Sequence, residues 1–294
     1  MTITKQLHGV HKPNKTGARG HGPALARLAG GASVLALLMA MSSMATAQTT
    51  PVTCEASGTI QPSLVCGEDA EANIYGGTAI GTEASAGRLG VAVGYGATYS
   101  YPSENPLDMG GGGVAIGYNA LSNGVNVAIG SGSVATGNWS VGIGSGADAS
   151  GIRSTAVGMM AKAAATDASA FGRGSEANFL NATAIGSSAY ALSNYATALG
   201  AGARASGSEA LALGRNAYAN GWGALALGTG TGNDWEGMGA LANYSIAIGR
   251  QARVGTFANQ SIALGNMARV DDATLNALAL GANSLADQDG TVSF

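Results

Sequence analysis

The sequence predicts an all-β fold, a parallel β-roll solenoid of coils about 14 residues long. Three observations predict it. A tripeptide of Ala, an aliphatic residue and Gly returns through most of the chain, and from Gly130 to Gly228 its glycine recurs every 14 residues seven times running. Between anchors, small residues alternate with others at period two, a strand signal, and glycines punctuate the segments as turn residues do. Large core-forming side chains are scarce: 48 of 294 residues are Gly and only 5% are aromatic. A core lined by Ala and Gly is thin, which favours an elongated repeat over a compact domain.

The anchors begin at Ala79-Ile-Gly81 and Ala92-Val-Gly94 and continue through Ala128-Ile-Gly130, Ala184-Ile-Gly186 and Ala198-Leu-Gly200 to Ala279-Leu-Gly281. After the anchor glycine, small residues recur at the third and fifth positions, as in Ala147 and Ala149 or Ala203 and Ala205. A turn residue follows at the seventh: Gly137, Gly151, Gly207, Gly221. Each repeat thus holds two short strands and two corners, and glycine at a corner permits positive φ. Helix is the competing fold, since Ala favours it. A glycine every seven to 14 residues costs about 1 kcal/mol each in a helix, and no charged face accompanies the apolar positions.

Two strands per repeat stack as coils at about 4.8 Å, so about fourteen coils make a rod of roughly 70 Å. Strand alternation turns the anchor Ala and its aliphatic neighbour to opposite sides. The alternation alone leaves open which of them faces the interior. Either way a stripe including Ile129, Ile143, Val157, Ile185, Leu199, Leu213 and Leu227 lines one long side. An exposed stripe of that length exceeds what soluble monomers tolerate, so a homo-oligomer is expected to bury it.

The register breaks in a few places. Gly94 to Gly117 carries an insertion with Tyr99, Tyr101, Pro102 and Pro106, and Gly228 to Gly249 one around Asn233-Asp-Trp235-Glu. Insertions in solenoids become surface loops, frequently on the working face. Tyr99, Tyr101 and Trp235 are therefore candidate contact residues, with Trp139, Trp222 and Tyr244 beside them. The alternative is that these aromatics cover coil ends or loops.

Ahead of the repeat, residues 1–47 form a leader. It has five basic and no acidic residues, an apolar run Ala32–Met41, and small residues at Ala45 and Ala47. This is a signal-peptide pattern with cleavage between Ala47 and Gln48. The apolar run is shorter than the ~20 residues of a spanning helix, which disfavours a retained anchor. Residues 48–73 form an N-terminal segment with the only two cysteines, Cys54 and Cys66. In an oxidising compartment they could pair as a local staple, and two free thiols are the alternative. Residues 74–294 are the repeats.

Beyond residue 47, nine basic residues face all 17 acidic ones, a poor composition for binding nucleic acid. All three histidines lie in the leader. The exported part therefore has no imidazole for acid–base or zinc chemistry. Gly110–Gly113 lacks the Lys-Ser/Thr of a phosphate loop. Asp287-Gln-Asp-Gly290 lacks most ligands of a calcium loop. Carboxylates do not recur as pairs at one coil position. No enzyme activity, cofactor or metal is expected. A polysaccharide-active solenoid would need an acid and Lys/Arg cluster on one coil face. An ice-binding or purely structural solenoid would show unbroken ranks of Thr. Thr155 and Thr183 share their position with Ser169 and Leu211, so that rank is broken.

The stretches Asn126-Val127-Ala128-Ile129-Gly130 with Ser133, Asn181-Ala-Thr183-Ala-Ile185-Gly186 with Ala189, and Tyr244-Ser245-Ile-Ala-Ile248-Gly249 resemble the head repeats of trimeric autotransporter adhesins. Their pattern is Asn-Ser-Val-Ala-Ile-Gly-x-x-Ser/Ala. The resemblance implies a left-handed β-roll and three chains side by side. It also implies adhesion to extracellular matrix or another host surface ligand by a head displayed at the outer membrane of a Gram-negative bacterium. Those quoted residues are the candidate adhesive repeats. In some members such repeats bind collagen; no repeat here has that consensus in full. The sequence shows no neck, heptad stalk or barrel strands after the repeats. It therefore reads as a head without a membrane anchor of its own, or as part of a longer adhesin.

Overall fold

A computed structural model describes residues 54–57, 63–72, 76–101, 111–230 and 238–294. The leader, including Ala47 and Gln48, and Trp235 lie outside the described residues. Every regular element among the described residues is a strand. The anchor tripeptides form a 17-stranded sheet, and the short strands that follow each anchor form a second sheet of 15.

Pairing is parallel throughout both sheets except at the start, where Cys54–Ser57 runs antiparallel to Ser63–Cys66. Each residue pairs with its equivalent one repeat later. Ala156 pairs with Ala170, and Thr183, Ala184 and Ile185 with Thr197, Ala198 and Leu199. The 14-residue spacing is therefore the length of one coil, and consecutive coils share backbone hydrogen bonds such as Gly144 N to Ile129 O at 2.7 Å. Insertions leave this ladder intact: Ala226 pairs with Ala247 across 21 residues of chain. The ladder opens earlier than residue 74, since Leu64 and Cys66 already pair with Thr78 and Ile80. Cys66 thus belongs to the first coil. A disulfide joins it to its register partner Cys54.

The alanines are inside. In one coil Ala182, Ala184, Ala189 and Ala191 are all fully buried, and Ala196, Ala198, Ala203 and Ala205 repeat the pattern in the next. Four inward methyls fill the narrow interior of these coils, and Val254 and Val270 take an equivalent inward position in the longer coils that follow. The aliphatic residue of each anchor points out, with Ile185 and Leu199 each 39% exposed. Serine replaces alanine at some inward positions. The Ser140 and Ser154 hydroxyls are buried without a hydrogen-bond partner among the described residues, whereas Ser133 and Ser175 donate to Gly130 O and Gly172 O at 2.9 and 3.0 Å. Each of these two bonds satisfies a buried polar group without water.

The two corners work differently. Anchor glycines take φ near +130°, as at Gly186, a region open essentially to glycine alone. At the other corner the seventh-position glycines do not carry the positive φ. They are small because coils approach closely there; a Cβ on Gly137 would lie 1.9 Å from Gly151 O. The left-handed residue comes two positions later and is seldom glycine: Trp139, Arg153, Asp167, Asn181, Tyr195 and Glu209 all have φ between 54° and 60°. Each costs about 1 kcal/mol or more relative to glycine.

Tyr99 departs from the surface-loop expectation. It occupies an inward position in the strand Thr98–Ser100, paired with Ala86 on one side and Ser122 on the other, and is 1% exposed. Its ring fits because the inner residues beside it are glycines. A Cβ on Gly90 or Gly113 would lie 1.7 or 2.3 Å from the ring. Tyr101, half-buried, packs against the same cluster.

Candidate adhesive surface

The outer faces of the two sheets differ in chemistry. In the anchor sheet both residues flanking the inward Ala point out. They form two parallel columns, mostly Thr, Val, Ile and Leu with Ser169 and Phe171 in one coil, as in the rungs Leu211↔Leu225↔Ile246↔Ile262↔Leu278. No charged residue interrupts these columns from Thr78 to Leu280. The second sheet is polar outside. Asp148, Lys162 and Glu176 stand on successive rungs, and Arg204 stands between Tyr190 and Tyr218. Opposite charges on neighbouring rungs attract, so this face suits water.

The edges carry aromatics. Tyr95 and Tyr118 stack with centroids 5.5 Å apart, because each directly follows an anchor glycine in adjacent coils. A hydrogen bond with Glu83 raises the Tyr95 phenol above its ordinary pKa. At the opposite edge Trp222 and Tyr244 lie 5.2 Å apart, with the Tyr244 ring over the bare Gly223. Arg153 and Asp167 pair across one coil step at 2.6 Å, and that hydrogen bond holds the Asp167 carboxyl below its ordinary range.

The candidate repeats divide between interior and surface. Asn126, Ala128, Ser133 and Ser245 are buried and beyond the reach of a ligand. Val127, Ile129, Thr183, Ile185 and Ile248 lie on the outer apolar face; Asn181 stands at an edge, and Gly130, Gly186 and Gly249 form turns. Asn126 is a structural cross-link. Its amide donates to Ala135 O at 3.1 Å and to Asn123 O, and its Oδ1 accepts from Ser140 N at 2.9 Å. Asn126→Ala strands these backbone groups in the interior. A loss of about 1–3 kcal/mol is expected, read by denaturant melts.

Among the described residues no group of three or more His, Cys, Asp or Glu could hold a metal ion, and no helix is long and apolar enough to cross a membrane. A surface groove of about 430 Å³ is lined by Met238, Gln251, Arg253, Met267 and Arg269. Its two guanidiniums are already paired, Arg253 with Asp272 and Arg269 with Asp271.

The surface sequence reasoning missed is the second apolar column, including Leu211, Leu225 and Ile262, and the Tyr95–Tyr118 stack. Both were signalled by register alone, since equivalent positions in successive repeats become neighbours.

Parallel register and inward alanines define a β-roll repeat protein with one uncharged outer face. Residues 149–175, 180–203, 205–231, 240–268 and 275–294 match the YadA head domain repeat. This part of the chain is thus similar to the head domains of the trimeric autotransporter adhesins, which supports an adhesin head domain. Among solved structures it is similar to the collagen-binding domain of the Yersinia adhesin YadA. The identity is 20% over 68% of this chain and 71% of that one, with a TM-score of 0.20. At that score the likeness adds no weight to the fold, which the hydrogen-bond register defines directly. No curated protein matches the sequence.

Proposed function

We propose that the chain acts as a homotrimeric adhesin head that attaches a bacterial surface to matrix proteins or other host surfaces through many weak, repeated contacts. The observation that carries this reading is the uncharged, largely apolar outer face of the anchor sheet, broken only by Thr and Ser in one column. Its two columns persist over every coil from Thr78–Ile80 to Leu278–Leu280. Burying them between copies of the chain removes them from water, at about 25 cal/mol per Å². The polar second sheet then faces outward and is presented three times over on one rod. Simultaneous engagement of such sites raises apparent affinity without stronger individual contacts. Export through the leader, display at the cell surface as part of a larger adhesin, and collagen as one possible matrix ligand all belong to this proposal.

The test is binding of the exported chain to immobilised collagen and other matrix proteins, compared with the variant Ile185→Asp/Leu199→Asp. Two carboxylates on the apolar face cannot be buried without partners. The variant is expected to be monomeric and to lose about 100-fold or more of its apparent affinity through lost avidity. Equal binding by monomer and native protein would contradict the multivalent reading.

A further inference from the structure

The two narrow edges of the rod are complementary to each other. One edge holds the residue directly after each anchor glycine. It is small at Ser131, Ser145, Ser187 and Ala201 and large at Tyr95, Tyr118 and Met159. Its arginines are Arg173, Arg215 and Arg250. The other edge holds the left-handed corner. It exposes a large apolar residue in most coils, among them Trp139 at 62%, Ile152 at 44%, Tyr195 at 53% and Trp222 at 48%. The acids at its left-handed position are Asp167 and Glu209. Each is followed six residues later by an arginine on the opposite edge, Arg173 and Arg215, and Arg250 likewise follows Tyr244. Within one chain these pairs sit at opposite ends of an anchor strand, Ser169–Phe171 or Leu211–Leu213. At ~3.3 Å per strand residue they are too far apart to touch. Arg173, Arg215 and Glu209 have no ion-pair partner among the described residues.

We infer that the bulky edge of one chain docks on the edge of a second copy that carries Ser145, Ala201 and Arg215, pairing Glu209 with Arg215 across the seam and setting Arg173 beside the Arg153–Asp167 pair. This rests on the trimer proposed above and specifies how its chains meet. Three chains around an axis parallel to the rod hold equivalent residues at equal height. Six residues along a 14-residue coil rise only ~2 Å, so an acid on one chain stands level with the arginine of the next. Such a head-to-tail contact closes a ring of three. It also accounts for side chains such as Trp139 and Tyr195 at corners where glycine would fold at lower cost: they are the knobs that fill the Ser, Ala and Gly edge of the neighbour.

The test uses the full chain carrying Glu209→Cys and Arg215→Cys together, with each single variant as control. The two new thiols lie too far apart in one chain to form a disulfide. After oxidation a covalent trimer is expected on a non-reducing gel from the double variant and no cross-link from either single one. Covalent dimers from Arg215→Cys alone would mean that like edges meet and would overturn the inference. So would a double variant that stays uncross-linked while light scattering reports a trimer; the trimer would then stand with another seam. A monomer would overturn both. A charge exchange provides an independent check. Glu209→Arg should weaken assembly at least tenfold in chain concentration, and Glu209→Arg/Arg215→Glu should restore it; no rescue would overturn the pairing.

Discussion

Gly186→Ala is expected to destabilise the roll by about 3 kcal/mol or more and to lower its melting temperature by several degrees. Two effects add. The residue sits at φ +130°, where a Cβ is strained whatever the space. The added Cβ would also lie 2.6 Å from the carbonyl carbon and oxygen of Gly200 in the next coil. That neighbour cannot yield, because Gly200 N is bonded to Ile185 O at 2.8 Å and its own Cβ direction faces Gly214. The strain therefore passes from coil to coil, as expected of a stack in which each unit contacts only its neighbours. The control is Asn181→Gly. Asn181 has φ 54°, so glycine there relieves strain and should leave stability within about 0.5 kcal/mol. Circular-dichroism melts of both variants check the contrast. Equal effects would mean that glycine is kept at the anchors for composition alone.

Tyr99→Ala is expected to cost about 3–5 kcal/mol, the range for deleting a buried aromatic ring. The interior elsewhere is filled by alanine, so the informative variant is Tyr99→Ala/Gly90→Ala/Gly113→Ala. It replaces one large and two empty positions by three methyls, the pattern of the other coils, and should recover most of the loss. Gly90→Ala alone should be severely destabilising, since the new Cβ would overlap the ring. The Tyr99 hydroxyl is buried with no hydrogen-bond partner among the described residues, so Tyr99→Phe should be at least as stable as the native chain. Coupling of the three sites in denaturant melts tests whether ring and glycines form one packing unit.

The coil length was legible because register in a parallel stack is the repeat period. Ala156 pairs with Ala170 for the same reason that their anchors are 14 residues apart. Orientation was less legible. Large apolar residues are usually buried and small ones indifferent, and this roll reverses that order: Ala184 is fully buried while Ile185 is 39% exposed. The volume of a 14-residue coil decides the matter, and pattern alone does not express volume. The insertion between Gly94 and Gly117 contains Tyr99 and so points to a loop, whereas the strand Thr98–Ser100 holds it inside. Its parity with Ala97, two positions earlier, and the glycines at 90 and 113 were the signals that it points inward. Asn126 was read as part of an adhesive motif by resemblance. It stands directly before an outward strand residue, at the inward position held by Ser140 and Ser154 in the next coils, and so takes an internal role.

The central claim is that the outward apolar face of the anchor sheet is covered by further copies of the chain. The most direct measurement is the mass of the folded exported chain in solution by light scattering coupled to size exclusion, at micromolar concentration. The account predicts three chain masses for the native protein, falling to one for Ile185→Asp/Leu199→Asp with strand content retained. A folded native monomer with that face in water would contradict it.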